Sequence, residues 1–172
     1  MSEVALASDV RAVAFSTPVG RITAIGDDRG VTGCWFGDPA GLFGRLRLAE
    51  PPELVESIGE WSSALEAYLA GDVAAIDRIR VLQPGSGFRQ DCWAAMRRVP
   101  AGQTISYAKL AEAAGHPSAV RAAGTACATN VIAVIVPCHR IVTSTGGLGG
   151  YAYGLAAKRW LLEHERGQAT LA

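Results

Sequence analysis

The residues best suited to chemistry lie together, where Cys138, His139 and Arg140 interrupt the apolar stretch VIVPCHRIV. A cysteine reacts as the thiolate, so a reactive cysteine needs a neighbour that lowers its pKa. His139 is adjacent, although neighbouring residues on a regular strand point to opposite faces. Pro137 cannot donate to a sheet ladder, so we expect the strand to end there and Cys138 to lie at the floor of a pocket. A buried structural cysteine at a strand end is the alternative that these residues leave open.

The remaining cysteines give no sign of a metal or disulfide framework. Cys34, Cys92 and Cys127 form no C-x-x-C pair, and the three histidines are not at metal-ligand spacing from them. A zinc site needs about four converging ligands, and disulfide frameworks are typical of secreted chains. We therefore predict no metal site and interpret these three cysteines as small buried hydrophobes.

The length and hydropathy of the chain limit its class. Its 172 residues suffice for one compact domain or two small ones, and it has no apolar run long enough to predict a transmembrane helix. The first residues, MSEVALASDVRAVAF, lack a basic segment followed by an apolar core, so no signal peptide is predicted. We therefore expect a cytoplasmic protein with no membrane partner.

Charge is unevenly distributed along a chain whose formal net charge is zero. Residues 1–84 contain seven Arg and twelve Asp or Glu, whereas residues 85–172 contain seven Arg and two Lys against four Asp or Glu. A basic second half suggests that this half contacts a polyanion, although such asymmetry also occurs without function.

Hydrophobic periodicity predicts the elements of the first half. Residues 11–36 alternate in polarity around turn residues and predict a meander of antiparallel strands. Apolar residues recur every three or four positions in 51–71, which predicts an amphipathic helix, and 74–82 is typical of a further strand. The segment QPGSG at 83–87, where the charge balance changes, is the best candidate for a linker.

The second half is predicted to be mainly helical. Residues 88–99 and 154–167 have helical periodicity, and 106–115 forms a short helix ending at a glycine. A second short helix follows, with Ser118 as a plausible N-cap, and together the two short helices predict a helix-turn-helix.

This second short helix has an unusual composition. Ala122, Ala123, Gly124 and Ala126 leave it almost without large side chains, and glycine costs about 1 kcal/mol in a helix relative to alanine. Such a face permits close approach of another helix or of a nucleic-acid groove, and composition does not decide between them. Arg121 interrupts the small residues and would project at a docked partner.

These segments together resemble one known family. PCHRIV resembles the active-site signature Pro-Cys-His-Arg-Val of the O6-alkylguanine-DNA alkyltransferases. STPVGRITAIGDDRGVTGCWF is similar to the family's N-terminal strand block, and GSGFRQDCWAAMRRVPAGQTISYAKLAEAAG to the block that contains its Ser-Tyr pair. AVRAAGTACATN and GGYAYGLAAKRWLLEHE are similar to the family's Arg-Ala-Val-Gly segment and C-terminal segment. The resemblance covers nearly the whole chain, in order.

The resemblance implies an α/β (α+β) fold in two domains. Residues 1–82 would form an N-terminal domain with a small antiparallel sheet and a helix, RNase H-like in arrangement. Residues 83–87 would be the linker. Residues 88–172 would form a helical domain with a winged-helix-like helix-turn-helix that binds DNA and accepts the alkyl group.

The resemblance also implies an activity, direct reversal of DNA damage. The alkyl group of O6-alkylguanine, and of O4-alkylthymine, would move from duplex DNA to the protein's own cysteine in a single irreversible transfer. No cofactor is required in this family. The partner would be double-stranded DNA, bound by a monomer, with cooperative binding left open. The cytoplasmic location would become nucleoid-associated in a bacterium.

The family's catalytic residues match five positions here. Cys138 would be the acceptor thiolate, His139 the base acting through a bridging water, and Glu165 the carboxylate that orients His139. Asn130 corresponds to the family's hinge asparagine. Tyr107 corresponds to the tyrosine that crowds the target phosphate and donates a proton toward guanine N3. Without the resemblance, we would interpret Glu165 as a solvated carboxylate at a helix end and Tyr107 as a core aromatic.

The family's DNA and pocket residues are carried over in the same way. Arg121 matches the arginine that enters the minor groove and fills the gap left by the extruded base. Further DNA contacts are expected at Ala122, Gly124, Tyr107 and Ser144. The pocket wall would contain Tyr151 and Ala152, whose N–H would bond guanine O6, and Ile141, whose carbonyl would accept from the guanine amine. Arg140 is expected to be structural.

Three positions depart from the family pattern. Val131 stands where the family usually has proline after the hinge asparagine, Arg89 replaces a glutamine, and Tyr153 replaces a glycine beside the pocket. Tyr153 therefore puts in doubt how large an alkyl group is accepted. Two other classes of function are less favoured. A non-catalytic module that recognises alkylated guanine usually lacks the motif cysteine, whereas this chain has Cys138. A Cys–His hydrolase would need an oxyanion hole, and nothing in the chain resembles such enzymes.

Overall fold

The structure is a computed structural model and describes residues 9–167. This part of the chain begins with an antiparallel meander. Its strands are β1 (Arg11–Thr17), β2 (Gly20–Asp27) and β3 (Gly30–Phe36). The register pairs Val13 with Ala24 and Ala24 with Cys34, so the small and branched side chains of one face enter the core together. The meander predicted for residues 11–36 is therefore confirmed. The interpretation of the N-terminus as lacking a signal peptide partly concerns residues 1–8, outside the described range.

The rest of the first half completes the sheet and covers it. Helix α1 (Ala40–Leu46) follows the meander, and strand β4 (Glu53–Leu54) pairs parallel to β1, which gives the strand order β3-β2-β1-β4. The small sheet is thus mixed at its β4 edge. Helix α2 (Gly59–Leu69) packs on the sheet through Trp61, Leu65 and Tyr68, all buried.

Two predicted elements of the first half are wrong in extent or kind. The helix predicted for 51–71 begins only at Gly59, because the preceding residues are extended and Val55 N–H donates to the carbonyl of Ala12 in β1. The strand predicted for 74–82 is wrong over Ala75–Arg78, which form a 3₁₀ helix. The last residues of the predicted strand do pair with β3, since Val31 N–H donates to Arg80 O at 2.9 Å and Leu82 N–H donates to Val31 O at 2.8 Å. Ile76 and Ile79 are both buried, and their spacing of three residues suits the three-residue turn of that helix.

The second half contains four helices among the described residues. They are α3 (Gly87–Arg97), α4 (Tyr107–Ala113), α5 (Val120–Ala128) and α6 (Leu155–Glu165). Two short parallel strands, β5 (Ile105–Ser106) and β6 (Ile141–Val142), connect the start of α4 to the segment that follows Cys138. Helices α4 and α5 form the predicted helix-turn-helix, and Gly115 ends the first of them with a left-handed φ of +83°.

Two details of these helices differ from prediction. Helix α5 starts one residue later than a Ser118 cap requires, so its N-cap is Ala119. Alanine has no side-chain oxygen that could accept from the backbone N–H groups of the first turn. The helical periodicity of 154–167 favours Leu155 on the inner face of α6, but this residue is 46% exposed. That inner face is instead completed by two charged residues, Lys158 and Glu165, both buried.

The apolar stretch before Cys138 lies in the core but is not a regular strand. Its first residues bond to β3, where Cys34 N–H donates to Val131 O at 2.9 Å and Ala133 N–H donates to Cys34 O at 3.0 Å. The chain then turns at Val134, whose φ of +70° is unusual for a β-branched residue. The largest buried apolar cluster contains residues of both halves, so the two domains proposed from sequence share one core.

Candidate active site

Cys138 lies at the start of a short 3₁₀ turn, Cys138–Arg140, directly after Pro137. Its side chain is almost fully buried, with 6% of the residue exposed, and it lines a cavity. Burial raises the pKa of the Cys138 thiol, while a hydrogen bond from Asn130 and the positive charge of Lys158 oppose that rise. The thiol is therefore protonated at rest, and its reaction needs a base.

Asn130 holds the turn that carries this thiol. Its Nδ2 donates to Val136 O at 2.8 Å and to the Sγ of Cys138 at 3.2 Å, and its Oδ1 accepts from Ile132 N–H at 3.0 Å. The same Oδ1 accepts from Nε2 of Gln83 at 3.0 Å. Gln83 belongs to the predicted linker, so that segment is anchored at the site.

His139 is fully buried and faces a carboxylate. Its Nε2 lies 2.8 Å from Oε1 of Glu165. A carboxylate only accepts, so Nε2 carries the hydrogen and Nδ1 presents a lone pair. Burial lowers the pKa of His139, Glu165 partly offsets that effect, and the charge of Arg140 adds to it. The neutral ring thus has a free acceptor, since Nδ1 has no protein hydrogen-bond partner among residues 9–167.

Glu165 is ionised in spite of its burial. Burial alone would raise the pKa of this carboxyl, but His139 and Arg140 together hold it well below its usual range. Arg140 donates through Nη2 to Oε1 at 2.8 Å and through Nε to Oε2 at 3.0 Å, and its Nη1 donates to Val99 O at 2.6 Å. Arg140 thus neutralises the carboxylate that faces His139, and its structural role stays a prediction.

Two further donors complete the surroundings of Glu165. The hydroxyl of Tyr68, from α2, donates to Oε1 at 2.8 Å, and Gly102 N–H donates to Oε2 at 3.3 Å. Sequence reasoning missed Tyr68, since a tyrosine on the inner face of an amphipathic helix is typical of core packing.

The cavity above Cys138 has a volume of about 290 Å³. Helices α4 and α5 supply one wall and the segment before α6 supplies the other. Its lining residues are Tyr107, Gly124, Cys127, Ala128, Cys138, Gly150, Tyr151, Ala152 and Tyr153. The predicted site residues Tyr107, Gly124, Tyr151 and Ala152 are thus brought together with Cys138. Burial raises the pKa of Tyr107, so its phenol is protonated and can donate.

Lys158 fixes the wall that carries Tyr151 and Ala152. It is fully buried on α6, and its ammonium donates to the carbonyls of Ile141 at 2.6 Å, of Leu148 and of Gly150 at 3.4 Å. Ile141 itself is buried in β6 and its side chain does not line the cavity. The predicted acceptor role of Ile141 concerns its carbonyl, which already accepts from Lys158.

Tyr153 joins this wall to the first half of the chain. Its ring packs edge-on against Trp35 of β3 at 4.7 Å between centroids and against Tyr151 at 5.2 Å. The buried hydroxyls of Tyr151 and Tyr153 have no hydrogen-bond partner within the described residues. A bulky side chain therefore limits the cavity where the family usually has glycine.

Helix α5 presents two different faces. Ala123 and Ala126 are fully buried against the core, whereas Arg121 and Ala122 are exposed. The guanidinium of Arg121 makes no hydrogen bond or ion pair to any residue in 9–167. Gly124 lies over Tyr107, because a Cβ at that position would be 4.0 Å from the tyrosine ring. The small residues thus permit close helix packing on the buried side. On the exposed side they leave Arg121 as the long side chain that projects from the helix.

Ser144 is the predicted DNA contact that lies apart from the cavity. It is exposed in the turn after β6 and is not among the cavity-lining residues. Over residues 9–167, no group of three or more His, Cys, Asp or Glu side chains could hold a metal ion. No helix in that range is long and apolar enough to cross a membrane.

The fold and site define a class, a helix-turn-helix protein with a buried cysteine that lines a cavity beneath the second helix. Residues 87–167 match the family described as 6-O-methylguanine DNA methyltransferase, DNA binding domain. A relative from Methanosarcina acetivorans, named methylated-DNA–protein-cysteine methyltransferase, is 37% identical over 154 residues, which are 88% of this chain and 95% of the relative. The chain therefore belongs to the methylated-DNA–protein-cysteine methyltransferase family, and the resemblance in the sequence is confirmed.

Solved structures agree with this assignment. The chain is similar to the crystal structure of Mycobacterium tuberculosis O6-methylguanine methyltransferase, with a TM-score of 0.74 and 30% identity over 95% of this chain and 96% of that one. A crystal structure of the M. tuberculosis protein in complex with DNA gives a TM-score of 0.72 and 31% identity, covering 92% of this chain and 94% of that one. The predicted α+β fold class is confirmed.

Proposed function

We propose that this chain repairs DNA by direct reversal, transferring the alkyl group of O6-alkylguanine to Sγ of Cys138. O4-alkylthymine is a second substrate in this proposal. The main observation that supports this proposal is that the Cys138 thiol lies at the base of a cavity. The adjacent residue, His139, makes a buried contact with Glu165. Membership of the family supports the reaction class and DNA as the partner.

The proton and electron balance of the transfer follows from the contacts of Cys138 and His139. The Cys138 proton passes through a water to Nδ1 of His139, whose Nε2–H remains bonded to Glu165. The thiolate attacks the alkyl carbon, the S–C bond forms and the C–O6 bond breaks. The bonding pair passes to the guanine, which takes a proton at N3 from Tyr107. The Tyr107 oxygen regains a proton from solvent, and His139 releases to solvent the proton that it took from Cys138.

Substrate access requires the alkylated base to leave the duplex, because a stacked base cannot reach a buried sulfur. In this proposal α5 lies in the minor groove, with Ala122 and Gly124 permitting close approach, and Arg121 fills the place of the extruded base. Minor-groove contacts carry little sequence information, which suits a protein that acts wherever damage occurs.

The flipped guanine would be held by the cavity wall. The backbone N–H of Ala152 would donate to O6, and Tyr151 would cover one face of the base. The Ile141 carbonyl, which accepts from Lys158 with one lone pair, would accept from the exocyclic amine with the other. Ser144 would contact a phosphate from its exposed turn. The protein would act as a monomer, with residues 88–172 performing the transfer and residues 1–82 supporting it across the 83–87 linker.

Intact-protein mass spectrometry after mixing with a duplex that contains one O6-methylguanine tests the proposal. We expect one methyl mass to be gained per molecule, on the peptide that contains Cys138. Cys138→Ala should gain none yet still bind the duplex, whereas Cys127→Ala, which removes the other thiol lining the cavity, should still be methylated. Tight binding by the unmodified protein without any gain would instead support a non-catalytic lesion-recognition module. Methylation at Cys127 would contradict the acceptor assignment.

A further inference from the structure

Tyr68 connects the first half of the chain to the chemistry of the second. Its ring is fully buried on α2, and its hydroxyl donates to Oε1 of Glu165 at 2.8 Å. The backbone carbonyl of Tyr68 accepts from Nε2 of His164 at 2.7 Å, so the tyrosine is held against α6 at two points. Its hydroxyl is thus fixed on the carboxylate.

The oxygen that Tyr68 contacts is the one that faces His139. Oε1 of Glu165 accepts from Nε2 of His139 and from Tyr68, each at 2.8 Å, and also from Nη2 of Arg140 at 2.8 Å. These donors share the negative charge of one carboxylate oxygen, and Arg140 is a constant background because it stays charged. Each donor therefore changes how strongly that oxygen stabilises a proton on the other.

Tyr68 can only donate in this position. Burial raises the pKa of Tyr68 well above its ordinary value, and the charge and hydrogen bond of Glu165 raise it further. Two neighbouring cations shift pKa values among Tyr68, His139 and Glu165, namely Arg140 and, on α6, Lys158. The titratable and charged groups that act on these three residues from the surrounding elements are Arg140, Lys158, His164, Cys34 and Cys138. None of them contacts the Tyr68 hydroxyl.

We infer that Tyr68 is a positioning residue for the transfer, whose hydroxyl sets how strongly Glu165 holds a proton on His139. The inference rests on the proposed function. His139 must be neutral to accept the Cys138 proton, so transfer is lost at low pH as His139 becomes protonated. When the Tyr68 hydroxyl is removed, Oε1 is free to stabilise the protonated ring more strongly. The acid limb of the pH–rate profile should then move to higher pH.

The test measures the rate of methyl transfer from an O6-methylguanine duplex between about pH 5 and about pH 9. In Tyr68→Phe we expect the acid limb to rise by roughly half a pH unit or more, with duplex affinity within about twofold of the unaltered protein. Trp61→Phe is the matched control, because it also removes one buried donor from α2, the bond to Asp27 O at 2.9 Å, but makes no contact with Glu165. Its acid limb should stay in place.

A second substitution changes the hydrogen bond without removing it. 3-Fluorotyrosine at position 68 makes the hydroxyl a stronger donor, so the acid limb should move to lower pH. An acid limb that is unmoved in both Tyr68 substitutions, or that moves equally in Trp61→Phe, overturns the inference. Absence of methyl transfer in the unaltered protein would overturn the proposed function itself. Should Tyr68→Phe fail to fold, the fluorotyrosine protein decides alone.

Discussion

Replacement of Asn130 by alanine removes four hydrogen bonds around the reactive cysteine. The side chain is 2% exposed and bonds to Ile132 N, Val136 O, Gln83 Nε2 and Cys138 Sγ. Ile132 N–H and Nε2 of Gln83 would be left in the interior without a replacement, whereas Val136 O would still accept from Cys138 N–H at 2.8 Å. An unsatisfied buried polar group costs about 1 kcal/mol or more, so Asn130→Ala should lose roughly 2 kcal/mol of unfolding free energy or more. That is a large part of the total of about 5–15 kcal/mol available to a domain.

The fourth bond concerns rate rather than stability. The amide N–H on Sγ lowers the pKa of the Cys138 thiol against the rise caused by burial. Without it the thiolate becomes harder to form. A hydrogen bond to a charged group contributes about 1.5 kcal/mol or more, so transfer at neutral pH should slow about tenfold or more. Urea unfolding gives the stability change. Single-turnover methyl transfer, under conditions where the variant is fully folded, gives the rate.

Thr129→Ala is the matched control for this change. Its hydroxyl bonds to Thr125 O at 2.9 Å within α5 and does not reach the turn that carries the thiol. We expect a small loss of stability and an unchanged rate. A stability loss below about 1 kcal/mol in Asn130→Ala would refute the reasoning about buried partners. A normal rate in the folded variant would refute the reasoning about the sulfur.

Three further predictions concern DNA, the cavity and acid stability. Arg121→Ala should lose transfer from duplex DNA but react nearly normally with a free alkylated guanine base, whereas equal loss on both would contradict the base-extrusion role. Tyr153→Gly should react faster with O6-benzylguanine than Tyr153→Phe does, because glycine removes the ring that packs on Trp35; equal rates would show that this ring does not limit adduct size. Because the pKa of Glu165 is lowered on folding, its stabilisation is full above about pH 4.3 and is lost as pH falls through the folded-state value. Urea unfolding from about pH 6 to about pH 3 should therefore show a smaller acid loss in Glu165→Gln, and an equal loss would be evidence against that linkage.

Local patterns in the sequence were enough for the parts of the fold with strong periodicity. The meander and the helix-turn-helix follow from alternation and from glycine-terminated helical segments, and Pro137 correctly indicated a break before Cys138. The conformation of the stretch before that proline could not be predicted from local pattern. Its β-branched residues favour a strand, but Val134 adopts a left-handed backbone that only the surrounding core can impose.

The contacts that complete the site are long-range, and this is why the sequence did not reveal them. Tyr68 and Glu165 are far apart in the chain, and neither carries a local signal of the other. Lysine is rarely buried, so nothing in the sequence singled out Lys158, yet three backbone carbonyls satisfy its buried ammonium. The resemblance indicated Cys138, His139, Glu165 and Asn130. The contacts of Tyr68 and Lys158, by contrast, became visible only from the packing.

The pairing of Arg140 with Glu165 also limits how sequences of this kind can diverge. Both side chains are buried, so the loss of either one leaves an uncompensated charge in the interior at a cost of about 3–5 kcal/mol. A protein that has changed at only one of the two positions is therefore poorly folded, and replacing both residues in succession must pass through such a protein. Among descendants of a common ancestor, these two positions should change together or remain as they are, even where the residues around them drift freely.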